Sequence, residues 1–242
     1  EKQIRQRLAK FPIPKREQEI YCLDQRINDR GIMVDRNLVN HAVACDLLYK
    51  ETATARAYEL TGLENPNSVS QLKLWLKEKG LEVDSLAKDT VKDLSMKVEG
   101  DVQEVLKLRL ATSKTSVKKY EAIDRSVCAE NRVHGLLQFY GANRTGRWAG
   151  RLVQIHNLPQ NHLPDLELAR ALVSEGRYEE VELFYESTPN VLSELIRTAF
   201  VAKPGCRFII SDYSAIEARV LAWLAGEEWR LQVFETHGKI YE

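Results

Sequence analysis

The sequence contains no closely spaced pair of cysteines. Its four cysteines, Cys22, Cys45, Cys128 and Cys206, are scattered along 242 residues, and none belongs to a C-x-x-C motif. This spacing argues against a structural zinc site and against the disulfide framework of a small secreted domain. We therefore expect the cysteines to be small buried hydrophobic residues in a protein of a reducing compartment.

Long apolar runs and an excess of charge of either sign are also absent. No stretch approaches the length of a membrane-spanning helix, and the first residues lack the apolar core of a signal peptide. The sequence therefore predicts a cytoplasmic protein with no membrane partner. Because 35 Lys and Arg residues balance 35 Asp and Glu residues, the net charge of zero identifies neither an acidic nor a basic partner.

The positive charges are nevertheless concentrated in the middle of the chain. From Val105 to Arg151 there are ten Lys and Arg residues and three Asp and Glu residues, whereas acidic residues predominate between Glu175 and Glu194. A neutral total can therefore conceal a basic face that binds a polyanion. An ordinary solvated helix surface has the same composition, so charge alone leaves both interpretations open.

The predicted elements form a helical first half and a mixed second half. Asp35 is a suitable N-cap for a long helix that Gly62 can end, and Gly31 can end the helix before it. A further long helix is predicted from about residue 102 to about residue 122, with lysines along one face.

Residues 139–151 combine three arginines with three glycines. The preceding segment, from Val133 to Tyr140, has the pattern of a strand, and Gly141 is expected to begin a loop. Glycine backbones can approach a ligand closely, and arginine offers planar donors to phosphate or to base edges. The loop is either a phosphate-binding element or an ordinary surface turn. It is not a Walker loop, because no G-K-[ST] follows the glycines.

Further along, a short apolar run ends on a carboxylate and leads directly into a helix. Phe208–Ile210 has the composition of a strand that closes at Asp212. Ser214 and Glu217 have the spacing of a capping box for a helix that Gly226 can end. An Asp at the end of a strand can bind a hard cation such as magnesium. It can also be an ordinary acid favoured near a helix N-terminus.

Four short motifs follow one another in the second half of the chain. They are Thr145-Gly146-Arg147, Gln154–Pro159 (QIHNLP), Leu195–Phe200 (LIRTAF) and Asp212–Arg219 (DYSAIEAR). Their order closely resembles that of the family A DNA polymerases, in particular the phage- or prophage-encoded branch, and is similar to bacterial DNA polymerase I. The last motif matches the first palm carboxylate motif of the family, D-Y-S-x-I-E-x-R.

The resemblance implies an α+β fold, in which a mostly helical thumb is followed by a partial palm with a small antiparallel sheet and helices. Residues 1–16 would be a linker from an upstream domain, and residues 17–128 the helical thumb region. Residues 129–242 would be the N-terminal part of the palm, truncated before the fingers. Residues 161–192 would contain an insert of two short helices, which we expect to be an acidic, solvated pair.

By resemblance, the parent protein is a DNA-directed DNA polymerase that transfers deoxynucleotides to the 3′ end of a primer with two Mg²⁺ ions. Asp212 would be the catalytic carboxylate and a metal ligand, together with the backbone carbonyl of Tyr213. Ser214, Ile216 and Glu217 would contact the incoming dNTP. Glu217 would lie under the sugar and exclude a ribose 2′-hydroxyl.

The same resemblance implies residues that bind primer–template DNA. Arg147 would contact minor-groove acceptors at the primer terminus, which every base pair shares. The other expected contacts are Asn143, Arg144, Thr145 and Asn157 beside the duplex, and Lys114, Lys118 and Lys119 on its phosphates. Asn157 has an alternative role, in which it holds the turn that continues through Pro159.

The sequence also departs from the family pattern, and other functions stay open. Trp148–Arg151 replaces a run that is usually rich in serine. The fingers helix and the second palm carboxylate have no counterpart, so we expect this fragment to be inactive alone. One alternative is a non-catalytic DNA-binding module. A single-subunit RNA polymerase is less favoured, because Glu217 beneath the sugar would obstruct ribonucleotides.

Overall fold

The computed structural model describes residues 1–114, 117–185 and 187–236. These residues form α1 (Lys2–Leu8), α2 (Lys15–Arg30), α3 (Arg36–Thr61), α4 (Val69–Glu78), α5 (Lys88–Ser95), α6 (Gly100–Thr112), α7 (Lys118–Ser126), α8 (Leu166–Ser174), α9 (Tyr178–Phe184), α10 (Thr188–Leu195), α11 (Ile216–Ala225) and α12 (Glu228–Thr236). The strands are β1 (Ile32–Val34), β2 (Arg132–Val133), β3 (Leu137–Ala142), β4 (Arg147–Gly150) and β5 (Phe200–Val201). This content confirms the predicted α+β class.

The chain divides into two compact units, one from Glu1 to Val201 and a second that begins at Ala202. In the first unit, β1 lies between β2 and β5 in an antiparallel sheet. Met33 is paired with both Arg132 and Val201. The sheet therefore joins residues from both sides of the predicted boundary between thumb and palm, and the functional division at residue 128 stays a prediction. None of the described helices has the length and apolar character needed to span a bilayer.

The ends of the long helix α3 are those that the sequence predicts. The backbone N–H of Leu38 donates to Oδ1 of Asp35 over 3.1 Å, so Asp35 satisfies one of the donors left unpaired at a helix N-terminus. At the other end, Gly62 adopts the left-handed conformation. The second carboxylate oxygen of Asp35 accepts a hydrogen bond from the guanidinium of Arg170 on α8. Asp35 therefore joins the start of α3 to a helix 135 residues away.

Replacing Asp35 by alanine is expected to lower the free energy of unfolding of the first unit by about 1–2 kcal/mol, because both the helix cap and the ionic bond are lost. Urea denaturation followed by circular dichroism measures this change. Asp35→Asn keeps the capping oxygen and is expected to lose roughly half as much. Arg36→Ala is a matched control, since its exposed pair with Asp124 is 3.8 Å long and contributes little. An equal loss for Asp35→Ala and Arg36→Ala would contradict the prediction.

The described residues of the first unit form two apolar cores. The larger one contains the first half of α3 together with α7, α8 and α10, and its largest buried side chains include Leu38, Tyr120, Leu172, Leu192 and Ile196. The smaller one is formed by α4, α5 and α6. The predicted acidic, solvated insert is therefore only half right. Helices α8 and α9 exist, but they bury Ala169, Leu172, Val173 and Val181 in the larger core.

The expectation of four buried cysteines is wrong for three of them. Only Cys45 is buried, whereas Cys22, Cys128 and Cys206 are exposed. Burial, with a smaller contribution from the charge of Glu182, raises the pKa of the Cys45 thiol to about 12.

The single helix predicted from residue 102 to residue 122 is wrong, because the structure has α6 and α7 in its place. Hydroxyl side chains at the end of α6 bond to the carbonyls of the preceding turn: Thr112 Oγ1 donates to Leu108 O over 2.9 Å, and Ser113 Oγ donates to Leu110 O over 3.0 Å. Such bonds compete with continuation of the helix. Thr115 and Ser116, which the prediction included, lie outside the described residues.

Candidate functional site

The segment rich in Gly and Arg is a β-hairpin rather than the predicted loop. Strands β3 and β4 pair antiparallel, with Gln138 opposite Ala149 and Ala142 opposite Arg147. The predicted loop start, Gly141, lies within β3, where a Cβ would come within 2.4 Å of the Cβ of Ala149. The glycine therefore permits close approach of two strands. In the sequence alone, a glycine needed for this reason cannot be distinguished from a loop glycine.

The turn of this hairpin brings together four predicted DNA contacts. Asn143, Arg144, Thr145 and Arg147 are all exposed. The backbone N–H groups of Thr145 and Gly146 donate to Ala142 O over 3.0 and 2.9 Å. Gly146 has a φ of +69°, which a side chain would disfavour. The turn is therefore ordered by its backbone, which leaves the side chains of Asn143, Arg144 and Thr145 at the surface.

The motif around Asn157 lies at the base of the hairpin. A Cβ on Gly150 would come within 2.3 Å of the His156 ring, so the end of β4 packs directly on this motif. Asn157 is exposed at the end of a short 3₁₀ helix, Ile155–Asn157. Its backbone carbonyl accepts a hydrogen bond from Lys119 Nζ over 3.1 Å. Lys119 and Asn157, both predicted DNA contacts, are therefore neighbours.

Arg197 is a residue of this site to which sequence reasoning gave no role. Its guanidinium donates to Leu158 O over 2.7 Å and to Pro159 O over 2.6 Å. These two bonds fix the turn that follows Asn157. Arg197 therefore holds the turn that was the alternative role predicted for Asn157. Its place in the LIRTAF motif marked Arg197 as a candidate. The sequence did not reveal its partners, because they lie 38 and 39 residues away.

The three predicted phosphate-binding lysines differ in their surroundings. Lys118 is exposed at the start of α7. Lys114 donates to the side-chain oxygen of Asn190, and burial, followed by the positive charge of Lys88, lowers its pKa. Burial also lowers the pKa of Lys119. Because an ammonium has three donors, one bond to the protein still leaves Lys114 and Lys119 able to bind phosphate.

In the second unit, the predicted strand Phe208–Ile210 is wrong. The segment is irregular, and Ile209 and Ile210 are 88% and 91% exposed. A strand exists through hydrogen bonds to a neighbouring strand, and no pairing partner for this segment occurs among residues 1–114, 117–185 and 187–236. The composition of the segment suits a strand, but composition does not supply the partner.

The predicted capping box between Ser214 and Glu217 is also wrong. Helix α11 begins at Ile216, and its N-cap is Ala215, which adopts the left-handed conformation. Arg219 holds this turn instead: its Nε donates to Ser214 O over 2.8 Å, and its guanidinium lies 4.4 Å from the centre of the Phe234 ring on α12. The predicted end of the helix at Gly226 is confirmed.

Asp212 is exposed in this unit, and its carboxylate accepts a hydrogen bond from the backbone N–H of Tyr213 over 2.9 Å. The carboxylate and the Tyr213 carbonyl are hard oxygen donors of the type that magnesium prefers. The described part of the chain contains no group of three or more His, Cys, Asp or Glu side chains placed to hold a metal ion. These two residues therefore fit a magnesium ion only as part of its ligand set, with the remaining oxygens supplied from elsewhere.

Comparison with known proteins places these motifs in one context. Residues 48–242 match the profile of DNA polymerase family A. The DNA polymerase of Bacillus phage SP02 is 57% identical over 243 aligned residues, which cover 100% of this chain and 38% of that protein. DNA polymerase I of Chloroflexus aurantiacus is 55% identical over 40 residues, or 16% of this chain and 4% of that protein.

A thermostable DNA polymerase I of Thermus thermophilus is 50% identical over 44 residues, which cover 18% of this chain and 5% of that protein. No solved structure matches the chain significantly. The chain thus spans well under half the length of these three relatives.

Proposed function

This chain belongs to DNA polymerase family A, and from that premise we propose that it forms part of an enzyme of template-directed DNA synthesis. Its substrates would be a primer–template duplex and deoxynucleoside triphosphates. The observation that supports this proposal most directly is the ordered β3–β4 turn, which presents Asn143, Arg144, Thr145 and Arg147 at the surface.

The hairpin is suited to bind a duplex without reading its sequence. Purine N3 and pyrimidine O2 occupy similar positions in the minor groove for every base pair, so one arginine can test the shape of a pair at the primer terminus. We assign this role to Arg147, and phosphate or sugar contacts to Asn143, Arg144 and Thr145. Asn157 would lie beside the same duplex, and Lys118 would bind phosphate, with Lys114 and Lys119 as further cations.

Asp212 and Tyr213 would bind catalytic magnesium in the complete polymerase. The ions would lower the charge on the attacking and leaving oxygens of nucleotidyl transfer. Asp212 suits this role because its carboxylate is exposed and, among the described residues, accepts a hydrogen bond from the backbone of Tyr213 alone. Ser214, Ile216 and Glu217 follow directly and would contact the incoming nucleotide, with Glu217 under its sugar.

Replacing Arg147 by alanine in the complete polymerase is expected to weaken binding of primer–template DNA about tenfold. The salt dependence should also fall, by about one unit in the slope of log K against log [salt] if Arg147 releases one counterion. Fluorescence anisotropy with a labelled hairpin primer, titrated at several salt concentrations, measures both quantities.

The matched control for the Arg147 experiment is Arg177→Ala. It removes the same charge from the acidic insert, where Arg177 is already bonded to Glu175 and Glu180. This variant is expected to leave DNA affinity unchanged. Equal affinities for the Arg147 variant and the unmodified polymerase would count against the proposed DNA-binding role of the hairpin.

A further inference from the structure

Asn28, in the last turn of α2, makes an unusual pair of hydrogen bonds with the first residue of the hairpin. The backbone N–H of Leu137 donates to Asn28 Oδ1 over 3.0 Å, and Asn28 Nδ2 donates to Leu137 O over 2.9 Å. Two opposed residues of antiparallel strands exchange the same two bonds. The side-chain amide of Asn28 therefore takes the place of a neighbouring strand at the edge of β3.

Asp24 selects the orientation of this amide. Asn28 Nδ2 also lies 3.2 Å from Asp24 Oδ2, one helical turn earlier, and Gln25 Nε2 donates to the same oxygen over 3.0 Å. Asp24 is only 2% exposed. If the Asn28 amide were flipped, its oxygen would face this carboxylate and its NH₂ group would face the Leu137 N–H. Both contacts would be repulsive, so a buried acid favours the one orientation that bonds to β3.

Other contacts of α2 reach a different sheet. The guanidinium of Arg132 donates to Arg30 O and Gly31 O, each over 2.8 Å, and satisfies carbonyls at the end of the helix. Arg132 belongs to β2, which pairs with β1 and not with the hairpin. Among the hydrogen bonds and ring contacts of the described residues, those that join α2 to β3 are the bonds of Asn28 with Leu137 and the edge-on packing of Tyr21 against Phe139, whose ring centres lie 5.8 Å apart.

We propose that Asn28, oriented by Asp24, is a positioning residue for the DNA-binding hairpin. It fixes the start of β3, and Ala142 at the other end of β3 is paired with Arg147. The position of the Arg147 side chain therefore depends on a helix that precedes it by more than a hundred residues. This inference rests on the proposed role of Arg147 in binding DNA.

A double-mutant cycle in the complete polymerase tests the inference. Asn28→Ala is expected to weaken primer–template binding about tenfold, since both bonds to β3 are lost. If Asn28 acts through the hairpin that carries Arg147, then adding Asn28→Ala to Arg147→Ala should weaken binding by clearly less than the roughly tenfold loss of Asn28→Ala alone. Independent, additive effects of the two substitutions would overturn the inference, and so would an unchanged affinity for Asn28→Ala alone.

Hydrogen exchange measured by mass spectrometry supplies a readout that does not depend on DNA. Asn28→Ala is expected to increase exchange in peptides covering residues 137–150 while leaving residues 200–201 protected. Unchanged exchange in the hairpin would overturn the inference even if Arg147→Ala had no effect on DNA affinity. That second result would instead refute the proposed role of Arg147, so the two failures can be distinguished.

Two further variants complete the design. Arg132→Ala is the matched control, since it removes two bonds between α2 and the following strand region but none to β3. Arg132→Ala is expected to leave hydrogen exchange in the hairpin and DNA affinity unchanged. A loss of DNA affinity equal to that caused by Asn28→Ala would overturn the inference. Asp24→Ala is the second probe if Asn28→Ala does not fold. Asp24→Ala is expected to increase hydrogen exchange in the hairpin, as Asn28→Ala does. Unchanged exchange would count against the role of Asp24 in orienting Asn28.

Discussion

Replacing Asp212 by alanine in the complete polymerase is expected to reduce primer extension on the order of 10³-fold or more, because under the proposed function its carboxylate would hold the metal ions that offset the developing charge. Binding of primer–template DNA is expected to change by less than about twofold. The structure supports this separation of effects. Asp212 is exposed, and its carboxylate is bonded only to the backbone of Tyr213 among the described residues, so its loss removes no packing.

Single-turnover extension and anisotropy titrations on the same preparation measure the two quantities for Asp212→Ala. Glu235→Ala is the control, since Glu235 is another exposed acid of the second unit and is expected to leave extension unchanged. Loss of both extension and DNA binding would indicate that Asp212 is needed for folding. Extension at the unmodified rate would refute its assignment as a metal ligand.

The start of α3 at Asp35 and the glycine ends of α2, α3 and α11 could be predicted from the sequence because they depend on local chemistry. The side chain of Asp35 bonds to a backbone group three residues away, and the left-handed conformation of Gly62 depends on the absence of its own Cβ. Neither feature needs a distant part of the chain. The same holds for Gly31 and Gly226, which end α2 and α11 as predicted.

Strands and turns were less predictable because they depend on partners that the local sequence does not show. Glycine is typical of loops, but Gly141 lies within β3, where a side chain would collide with Ala149 on the neighbouring strand. Phe208–Ile210 has the composition of a strand, but no other described segment pairs with it. Ser214 and Glu217 have the spacing of a capping box, but the N-cap is the left-handed Ala215 and the helix begins at Ile216.

The candidate site was predicted as a set of residue types and not as an arrangement. Motif order identified Arg147, Asn157 and Asp212 as candidates. The residues that hold these motifs in place have partners far away in the sequence: Arg197 bonds to carbonyls 38 and 39 residues away, and Asn28 to a strand 109 residues away. No spacing rule of helices or strands reaches across such separations, so only the folded chain reveals them.

Replacing Glu217 by alanine in the complete polymerase is expected to raise ribonucleotide incorporation relative to deoxynucleotide incorporation on the order of 10²-fold. Under the proposed function, Glu217 would lie under the sugar of the incoming nucleotide, where its side chain would obstruct a 2′-hydroxyl. Removing the side chain beyond Cβ would leave space for that hydroxyl. Competition between matched ribo- and deoxynucleotides in single-nucleotide extension measures the ratio directly.

Glu217→Gln distinguishes obstruction by shape from repulsion by charge. Glutamine has almost the same volume as glutamate but no charge, so selectivity is retained if the obstruction is steric and falls if the carboxylate acts through its charge.

Glu217 is also an acid in the first turn of α11, where the helix dipole favours it. Glu228 is likewise an acid in the first turn of α12, so Glu228→Ala reports that structural contribution alone and is expected to leave sugar selectivity unchanged. If Glu217→Ala changed selectivity no more than Glu228→Ala, then Glu217 would be a helix-stabilising acid and not the residue that selects the sugar.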